Sequence, residues 1–326
     1  MSSNYQFYRT AESVSPKHPD KLCDQISDAI LDAYLEKDPE ARVAAETCGG
    51  HGVVFVTGEI TSTAEDIDIK KIVKRIAGES TDVHTKIVKQ SPEIAQGVDT
   101  GGAGDQGIMI GYACDETPEL LPLEVVLARR LNQFIYEEYP YDGKTQVTIA
   151  PDGTIDSLVA SFQNVPKSQL EAKVKDFIEK EHLTGKLELH INPAGDWQQG
   201  GFEADTGLTG RKLIVDNYGP RVAIGGGCFS GKDPSKVDRS AAYMARRIAV
   251  DYLKNRNAHE VLVRLAYAIG KAEPLEATVI VDGNPEVIEG YDLTPRGIIK
   301  FLDLKRPIYE KSARYGHFGE GFDWDK

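Results

Sequence analysis

The segment RVAAETCGGHGVVFVTGEIT, residues 42–61, contains two strand-like runs on either side of the glycine pair Gly49-Gly50. β-Branched side chains are frequent between Val53 and Ile60, and such residues favour strands, so the segment predicts a β-hairpin. A charged stretch from Ala64 to Ile76 follows and has the character of a helix. The local order is therefore strand, strand, helix.

The same order occurs twice more along the chain. Residues 146–162 predict a second hairpin around a Pro-Asp-Gly turn, and residues 167–180 predict its helix. Residues 261–269 and 277–281 predict two further strands, and a helix opens at Thr294-Pro295 and reaches about residue 304. The chain thus repeats one supersecondary unit three times.

Three such units predict an α+β fold with three similar sheet-and-helix subdomains, each ββαβ-like, in a pseudo-threefold arrangement. Each sheet has one apolar face to bury, so we expect the three buried faces to pack together with helices outside. We place the subdomains at residues 1–104, 105–197 and 198–326. Because no low-complexity linker separates the units, we expect their chain segments to be intertwined.

The charge of the chain is unevenly distributed. The 326 residues carry a net charge of −13, which argues against a nucleic-acid or membrane surface as partner. Between Asp205 and Arg239, however, six basic and four acidic side chains give +2, which leaves −15 for the remainder. A cationic region in an acidic protein predicts a compact anionic ligand.

The cysteines and the N-terminal residues indicate the cellular compartment of the protein. Cys23, Cys48, Cys114 and Cys228 are widely separated and form no C-x-x-C pair, so neither a zinc site nor a disulfide framework is indicated. The first ten residues contain no apolar signal region, and no apolar run has the length of a membrane span. We therefore expect a cytoplasmic protein with reduced thiols.

The segment GGGCFSGKDPSKVDR, residues 225–239, has the strongest chemical signal. Its glycines let backbone N–H groups approach an anion, Lys232 and Lys236 lie one helical turn apart, and Asp238 could hold a metal. The pattern predicts a phosphate site at the start of a helix. Residues 226–233 also approach a Walker A loop, with Asp233 where Ser or Thr would be needed. A glycine turn before a surface helix remains the alternative.

Two shorter motifs are individually weaker. Arg211-Lys212 places a guanidinium beside an ammonium, a pair suited to phosphate oxygens, on a segment that becomes strand-like in residues 213–215. An exposed basic pair is also common on any surface. His18-Pro19-Asp20-Lys21 begins a helix, where Asp20 is either a ligand or the N-cap.

Three further carboxylates have two interpretations each. The loop GAGDQG, residues 102–107, either presents Asp105 to a ligand or is only a turn. Glu46 and Glu59 lie on adjacent strands of the first predicted hairpin, where they either bind a ligand or face solvent.

Taken in order, these motifs resemble those of S-adenosylmethionine synthases. The matching stretches are ESVS (12–15), HPDK (18–21), GEIT (58–61), QSPEIAQGVD (90–99), GAGDQG (102–107), GLTGRK (207–212), residues 225–239, and YGHFG (315–319). The resemblance covers nearly the whole chain. It implies an enzyme that joins ATP to L-methionine, releases tripolyphosphate, and hydrolyses it to phosphate and diphosphate.

The resemblance also implies roles for individual residues. Those implied to hold the triphosphate are His18, Arg211, Lys212 and Lys232. Those implied to contact methionine are Glu59, Gln90, Lys236 and Asp205, the last of which bridges methionine and the nucleotide. Further ATP contacts are implied for Asp142, Lys144, Trp197 and Cys228. Mg²⁺ is implied on Asp20 and Asp238, K⁺ on Glu46, and Asp105 resembles an active-site carboxylate.

The family's sites lie between two subunits, which implies a homodimer, or two dimers paired as a tetramer. Residues 90–99 would form a gate, and the flanking regions are shorter than usual, so we expect it to admit bulkier methionine analogues. Asp196-Trp197 stands where the family usually has a basic residue and Phe. Trp197 could stack on adenine, but the reversed charge of Asp196 leaves nucleotide affinity and purine choice open.

Two rival functions remain at this point. A P-loop kinase or NTPase would fit the near-Walker spacing, and it would transfer the γ-phosphoryl group and yield ADP. A non-catalytic nucleotide-binding subunit would fit the cationic segment alone. It is less favoured because HPDK, Lys232, Lys236 and Asp238 are all present.

Overall fold

The computed structural model describes residues 7–90 and 101–326. The strands are β1 (Arg9–Val14), β2 (Arg42–Gly50), β3 (Val53–Thr61), β4 (Asp82–Val88), β5 (Gly107–Cys114), β6 (Gly143–Ile149), β7 (Ile155–Phe162), β8 (Gly185–Ile191), β9 (Gly207–Leu208), β10 (Glu260–Tyr267), β11 (Glu276–Val281) and β12 (Asn284–Val287). The α-helices are α1 (Pro19–Lys37), α2 (Ile69–Ala77), α3 (Leu123–Tyr136), α4 (Lys167–Lys180), α5 (Leu213–Asp216), α6 (Val237–Arg256), α7 (Pro295–Leu302) and α8 (Tyr309–Ser312). The predicted α+β class is confirmed.

The strands form three four-stranded sheets. Sheet I has the order β4-β3-β2-β9, sheet II the order β1-β6-β7-β8, and sheet III the order β12-β11-β10-β5. Each sheet contains one of the three predicted hairpins, paired antiparallel. In sheets I and II the strand after the helix returns parallel to the second hairpin strand, which completes a ββαβ unit. In sheet III the two other strands pair antiparallel.

One strand of each sheet comes from a distant part of the chain. β1, near the N-terminus, pairs with β6, and β5 pairs with β10. The two-residue strand β9 joins β2, so the segment that carries Arg211 and Lys212 starts at the edge of sheet I. These exchanges bring residues far apart in sequence to neighbouring positions.

Helices cover the buried face of each sheet. α1 packs on β2 of sheet I, α3 packs on β1 and β6 of sheet II, and α6 packs on β5 and β10 of sheet III. Our expectation that the three buried faces pack against one another is therefore wrong. The long helices supply the apolar surface that the sheets need; in α1, for example, Ile26 and Ile30 are completely buried.

The predicted helix starts are mostly confirmed. α1 has Pro19 in its first turn, and α7 begins after Thr294, whose side chain accepts the N–H of Gly297. α2 begins at Ile69, five residues later than predicted, because Asp68 is its N-cap. The prediction that residues 213–215 are strand-like is wrong, because these residues lie in the single helical turn α5.

The faces of sheets I and III opposite the helices carry exposed apolar side chains. Phe55 on β3 is 54% exposed and Ile108 on β5 is 50% exposed. Within residues 7–90 and 101–326, no helix is both long and apolar enough to cross a membrane.

Candidate active site

His18 caps the start of helix α1. Its Nδ1 accepts the backbone N–H of Asp20 at 3.2 Å, and the ring is buried. Burial, and after it the charges of Lys212 and Lys144, lowers the pKa of His18 to about 3. The ring is therefore neutral at pH 7, and because Nδ1 is an acceptor, the proton is on Nε2. The site gains an uncharged N–H donor.

Asp20 lies at the first turn of α1 and is completely buried. Its Oδ1 accepts the backbone N–H of Leu208 at 3.0 Å and lies 2.8 Å from Arg211 Nε, while Oδ2 lies 2.6 Å from Lys212 Nζ. Burial alone would raise the pKa of Asp20, but the hydrogen bonds from Lys212 and Leu208 outweigh it and hold that pKa below its usual range. The alternative of Asp20 as N-cap is wrong, since His18 is the cap.

The glycine-rich segment is attached to sheet I. Residues 231–233 run beside β2, and Lys232 forms an antiparallel bridge with Ala44. Lys232 Nζ lies 2.5 Å from Asp238 Oδ2 in the first turn of α6. A P-loop joins a strand directly to a helix, whereas α6 begins five residues after Lys232. The near-Walker spacing is therefore not a P-loop.

Two other residues of this segment have protein partners. The Lys236 ammonium pairs with the carboxylate of Asp233, which also accepts the N–H of Val43 at 2.7 Å. Burial raises the pKa of the Cys228 thiol to about 11, although the nearby charge of Lys232 lowers it. Cys228 is therefore an uncharged group beside the cations.

Glu46 and Glu59 lie on the exposed face of sheet I. Ala44 faces Glu59 across the β2–β3 pair, and facing residues in a sheet project to the same side, as do residues two apart. Ala44 also faces Lys232. The two carboxylates, both exposed, thus project to the same side of the sheet as Lys232.

Residues at the start of sheet II and on the segment after it lie near His18. Asp142 is buried, which raises its pKa, and its Oδ2 accepts the N–H of Gly201 at 2.8 Å. Lys144 and Asp205 are exposed, and both are close enough to His18 for their charges to affect its pKa. Trp197 is half-buried on the segment that leads to Gly200.

Gln90 and the loop with Asp105 lie, along the sequence, before and after the segment expected to form a gate. Asp105 is exposed, and its carboxylate accepts the N–H of Gln106 at 2.8 Å. Gln90 Oε1 is shielded from solvent, and no described residue donates a hydrogen bond to it. Residues 91–99 of the expected gate lie outside the described residues.

Two residues below the basic segments were missed by the sequence analysis. Asp24 Oδ1 accepts the N–H of Gly210 at 2.8 Å, and Asp28 Oδ1 accepts the N–H of Gly231 at 2.8 Å. Both carboxylates are completely buried. The signal that could have found them is the four-residue spacing of aspartates in α1.

The carboxylates of Asp20 and Asp238 are chemically suitable metal ligands. Each is paired with a lysine ammonium within 2.6 Å, so a metal would take the place of that ammonium. Carboxylate oxygens are donors that Mg²⁺ accepts, and its other ligands are commonly waters and substrate phosphates. In the part of the chain that the structure describes, no three acidic, His or Cys side chains form a metal cluster, so the remaining ligands would have to come from outside this set.

Comparison of the sequence with models of known families gives three matches. A model of the S-adenosylmethionine synthetase N-terminal domain matches residues 6–92, a model of the central domain matches residues 100–197, and a model of the C-terminal domain matches residues 199–326. The three matches follow one another along nearly the whole chain. The protein therefore belongs to the S-adenosylmethionine synthetase family.

Proposed function

We propose that this protein forms S-adenosyl-L-methionine from ATP and L-methionine with the whole tripolyphosphate as leaving group. One observation supports this above the others. Donor groups from three separate chain segments lie at two carboxylates, three of them at Asp20 and one at Asp238. These donors are His18, Arg211, Lys212 and Lys232.

The reaction needs no general base. The methionine sulfur attacks C5′ of ATP, the S–C5′ bond forms as the C5′–O bond breaks, and the electron pair of the broken bond leaves with tripolyphosphate. A thioether has a free lone pair and loses no proton when it attacks. The barrier lies in the charge of the leaving group, so catalysis depends on positioning and on cationic donors.

The described donors have distinct uses at the triphosphate. Neutral His18 can donate Nε2–H, Arg211 can present a two-pronged donor, and Lys212 and Lys232 can supply compact charges. In the structure these cations pair with Asp20 and Asp238. A polyphosphate would therefore compete with the two carboxylates for them.

The cations of the reaction would be held by carboxylates. Mg²⁺ would be held by Asp20 and Asp238, and K⁺ by Glu46. When bound, the metal neutralises part of the charge on the polyphosphate oxygens.

The remaining substrate contacts follow the family pattern. We assign methionine to Glu59, Gln90, Lys236 and Asp205, and further nucleotide contacts to Asp142, Lys144, Trp197, Cys228 and Asp205. Asp105 is retained as an active-site carboxylate without an assigned step. The Asp196 carboxylate accepts the N–H of Lys167 at 2.9 Å, so it is engaged at the start of α4 while Trp197 remains available for stacking on adenine.

We further propose a homodimer, single or paired as a tetramer, with the site between subunits. Glu46 and Glu59 are exposed on the face of sheet I that also carries Phe55. A second copy over this face would cover the apolar side chain and enclose the two carboxylates. Residues 90–99 would close the site as a gate, and the bound tripolyphosphate would be hydrolysed to phosphate and diphosphate before release.

A single incubation tests the proposal. The protein is mixed with ATP, L-methionine, Mg²⁺ and K⁺, and the adenosyl sulfonium product, phosphate, diphosphate and ADP are followed together. We expect sulfonium, phosphate and diphosphate in equal amounts and only with methionine present. ADP without sulfonium would instead support a kinase or NTPase, and binding of ATP without any product would support a non-catalytic subunit.

A further inference from the structure

Helix α1 carries an aspartate at every fourth position, namely Asp20, Asp24, Asp28 and Asp32. Positions four apart lie on one side of a helix, so the four carboxylates form a single row, which we call the aspartate ladder. Like charges at this spacing destabilise an isolated helix. The first three members are nevertheless completely buried, so the folded protein must compensate their charges.

Each member of the ladder accepts backbone N–H groups from outside the helix, and the donors lie on three segments. The donors are Leu208 to Asp20 at 3.0 Å, Gly210 to Asp24 at 2.8 Å, Gly231 to Asp28 at 2.8 Å, and Tyr309 and Glu310 to Asp32 at 3.0 and 2.8 Å. A carboxylate that accepts backbone N–H groups makes strong, charge-assisted hydrogen bonds. One face of α1 therefore fixes the main chain of three separate segments.

Two of these donors directly precede a cation assigned to the triphosphate. Gly210 precedes Arg211 and Gly231 precedes Lys232, with φ of +75° and +81°. A Cβ added to Gly210 or Gly231 would lie 2.3 Å or 1.9 Å from a neighbouring atom. Because the glycine is held on both sides, the direction in which the next side chain leaves the backbone is fixed as well.

Arg239 completes the attachment of Lys232. Its guanidinium donates to both oxygens of Asp28, at 2.6 and 2.8 Å, and its NH1 also donates to the carbonyl oxygen of Lys232 at 3.0 Å. Asp28 holds the N–H of Gly231 at the same time. The main-chain N–H of Gly231 and the main-chain carbonyl oxygen of Lys232 are thus both bound to one buried ion pair.

Lys21 pairs with Asp24, the acceptor for Gly210, as Arg239 pairs with Asp28, the acceptor for Gly231. Its ammonium, completely buried, lies 3.1 Å from Asp24 Oδ2 and 2.6 Å from Asp216 Oδ1. The other oxygen of Asp24, Oδ1, is left for the N–H of Gly210. Of the HPDK motif, Lys21 therefore stabilises the ladder and does not face the site.

We infer that Asp24 and Asp28 are positioning residues of this enzyme, which hold the glycines before Arg211 and Lys232 and so aim these two cations at the leaving group. The inference rests on the proposed function for the identity of that leaving group. Its first consequence, however, is on the binding of inorganic tripolyphosphate, which can be measured without turnover.

The decisive comparison is Asp24→Ala against Asp24→Asn in the full chain. Asp24→Ala removes the acceptor for Gly210, so we expect about a hundredfold loss in kcat, as misplacement by about 1 Å can produce, with the KM for methionine little changed. We expect a loss of tripolyphosphate affinity of about tenfold or more by calorimetry, because the misaimed cation contributes less to the bound anion. Asp24→Asn retains an oxygen acceptor and should recover most of both losses.

Asp32 provides the matched control, because it makes the same kind of bond on the same helix but holds α8. Asp32→Ala should lower the unfolding temperature without weakening tripolyphosphate binding. Asp28→Ala would leave the buried charge of Arg239 without its partner, which threatens folding. The variant for this half is therefore Asp28→Ala combined with Arg239→Gln, which removes both charges together with the acceptor for Gly231, and it should lose tripolyphosphate affinity as Asp24→Ala does.

Three results separate the possibilities. Folded Asp24→Ala with unchanged tripolyphosphate affinity and kcat would overturn the inference. Equal losses in Asp24→Ala and Asp32→Ala would also overturn it, since they would reflect stability alone. Wild-type protein that binds tripolyphosphate but forms no sulfonium would contradict the proposed function. The positioning role of Asp24 and Asp28 would then be tested by the tripolyphosphate affinities of the variants alone.

Discussion

The ammonium of Lys232 lies 2.5 Å from Asp238 Oδ2, and its side chain is 20% exposed. It is therefore fixed by one ion pair and still open to an anion. Lys232→Met keeps the length of the side chain and removes the charge. A donor placed at developing negative charge contributes about 3 to 4 kcal/mol to the barrier, so we expect kcat to fall at least about a hundredfold.

Steady-state kinetics with ATP and methionine would measure the effect of Lys232→Met. The matched control is Lys300→Met on α7, where an exposed lysine is replaced in the same way. The control should retain wild-type turnover. If folded Lys232→Met also turned over at the wild-type rate, Lys232 would have no part in stabilising the leaving group.

His317 supplies a test by pH. The ring is completely buried, Nδ1 lies 2.7 Å from the Tyr243 hydroxyl, and burial, followed by the charge of Arg239, lowers the pKa of His317 well below 6.5. Below pH 6.5 the unfolded chain binds a proton at this residue that the folded chain does not bind. The free energy of unfolding must therefore fall with falling pH, by about 1.4 kcal/mol from this residue between pH 7.5 and 5.5.

His317→Gln removes that proton site and retains a polar neighbour for Tyr243. Denaturant unfolding of both proteins across this pH range would measure the difference, because other titrating groups cancel in the comparison. The wild type should lose stability relative to the variant as the pH falls. Parallel curves would show that His317 is protonated equally in the folded and unfolded chain.

At the scale of residues, the sequence predicted the chemical groups better than their partners. The Gly-Lys and Arg-Lys motifs indicated cations for an anion, and in the structure each of these cations is paired with a carboxylate, either Asp20 or Asp238. The pattern could not decide between Asp20 as a ligand and Asp20 as the N-cap, because His18 is also able to accept the N–H. Nor could it reveal that Asp24 and Asp28 are buried, since aspartate is most often exposed.

At the scale of elements, the pairing of segment 231–233 with β2 can be tested by a substitution at Gly231. Gly231 has φ of +81°, and a Cβ there would lie 1.9 Å from the carbonyl oxygen of Ala45. Gly231→Ala combines an unfavourable backbone conformation with a clash against a sheet, so we expect a loss of at least about 3 kcal/mol in stability. Segment 231–233 would have to move away from β2, and activity should fall with it.

Gly283 in the turn between β11 and β12 is the control for backbone conformation alone. Its φ is +82°, and a Cβ there would meet no atom within 4 Å. Gly283→Ala should cost only about 1 to 2 kcal/mol and leave turnover intact. Thermal unfolding and kinetics of Gly231→Ala and Gly283→Ala would check this. Equal destabilisation would show that segment 231–233 can move away from β2 at little cost in free energy.

The elements themselves were largely predictable, and their exchange between sheets was not. The three hairpin-and-helix units follow from local periodicity and turn residues, which the sequence states directly. α5 was missed because a single helical turn of apolar residues has the same composition as a short strand. The pairing of β1 with β6, and of β5 with β10, depends on contacts between residues more than a hundred positions apart, for which no local pattern exists.

At the scale of the whole molecule, the helices lie against one face of each sheet and leave the other face open. The open face of sheet I carries Phe55 together with Glu46 and Glu59. This is the face that the proposed second copy would cover. The described residues of one chain already form two buried hydrophobic clusters, so the proposed second copy would serve the site and not the fold.

Phe55→Glu tests this surface against a control with the same change elsewhere. Phe55 is 54% exposed on sheet I and Phe301 is 51% exposed on α7, so both positions tolerate a glutamate in a single chain. A charge buried between two subunits without a partner is strongly unfavourable, so light scattering should show a dimer for the wild type and Phe301→Glu, and a monomer for Phe55→Glu. If the site needs both subunits, turnover should be lost in Phe55→Glu and recover as its concentration rises. A fully active monomer would place the complete site within one chain, because Glu46 and Glu59 would then work while open to solvent.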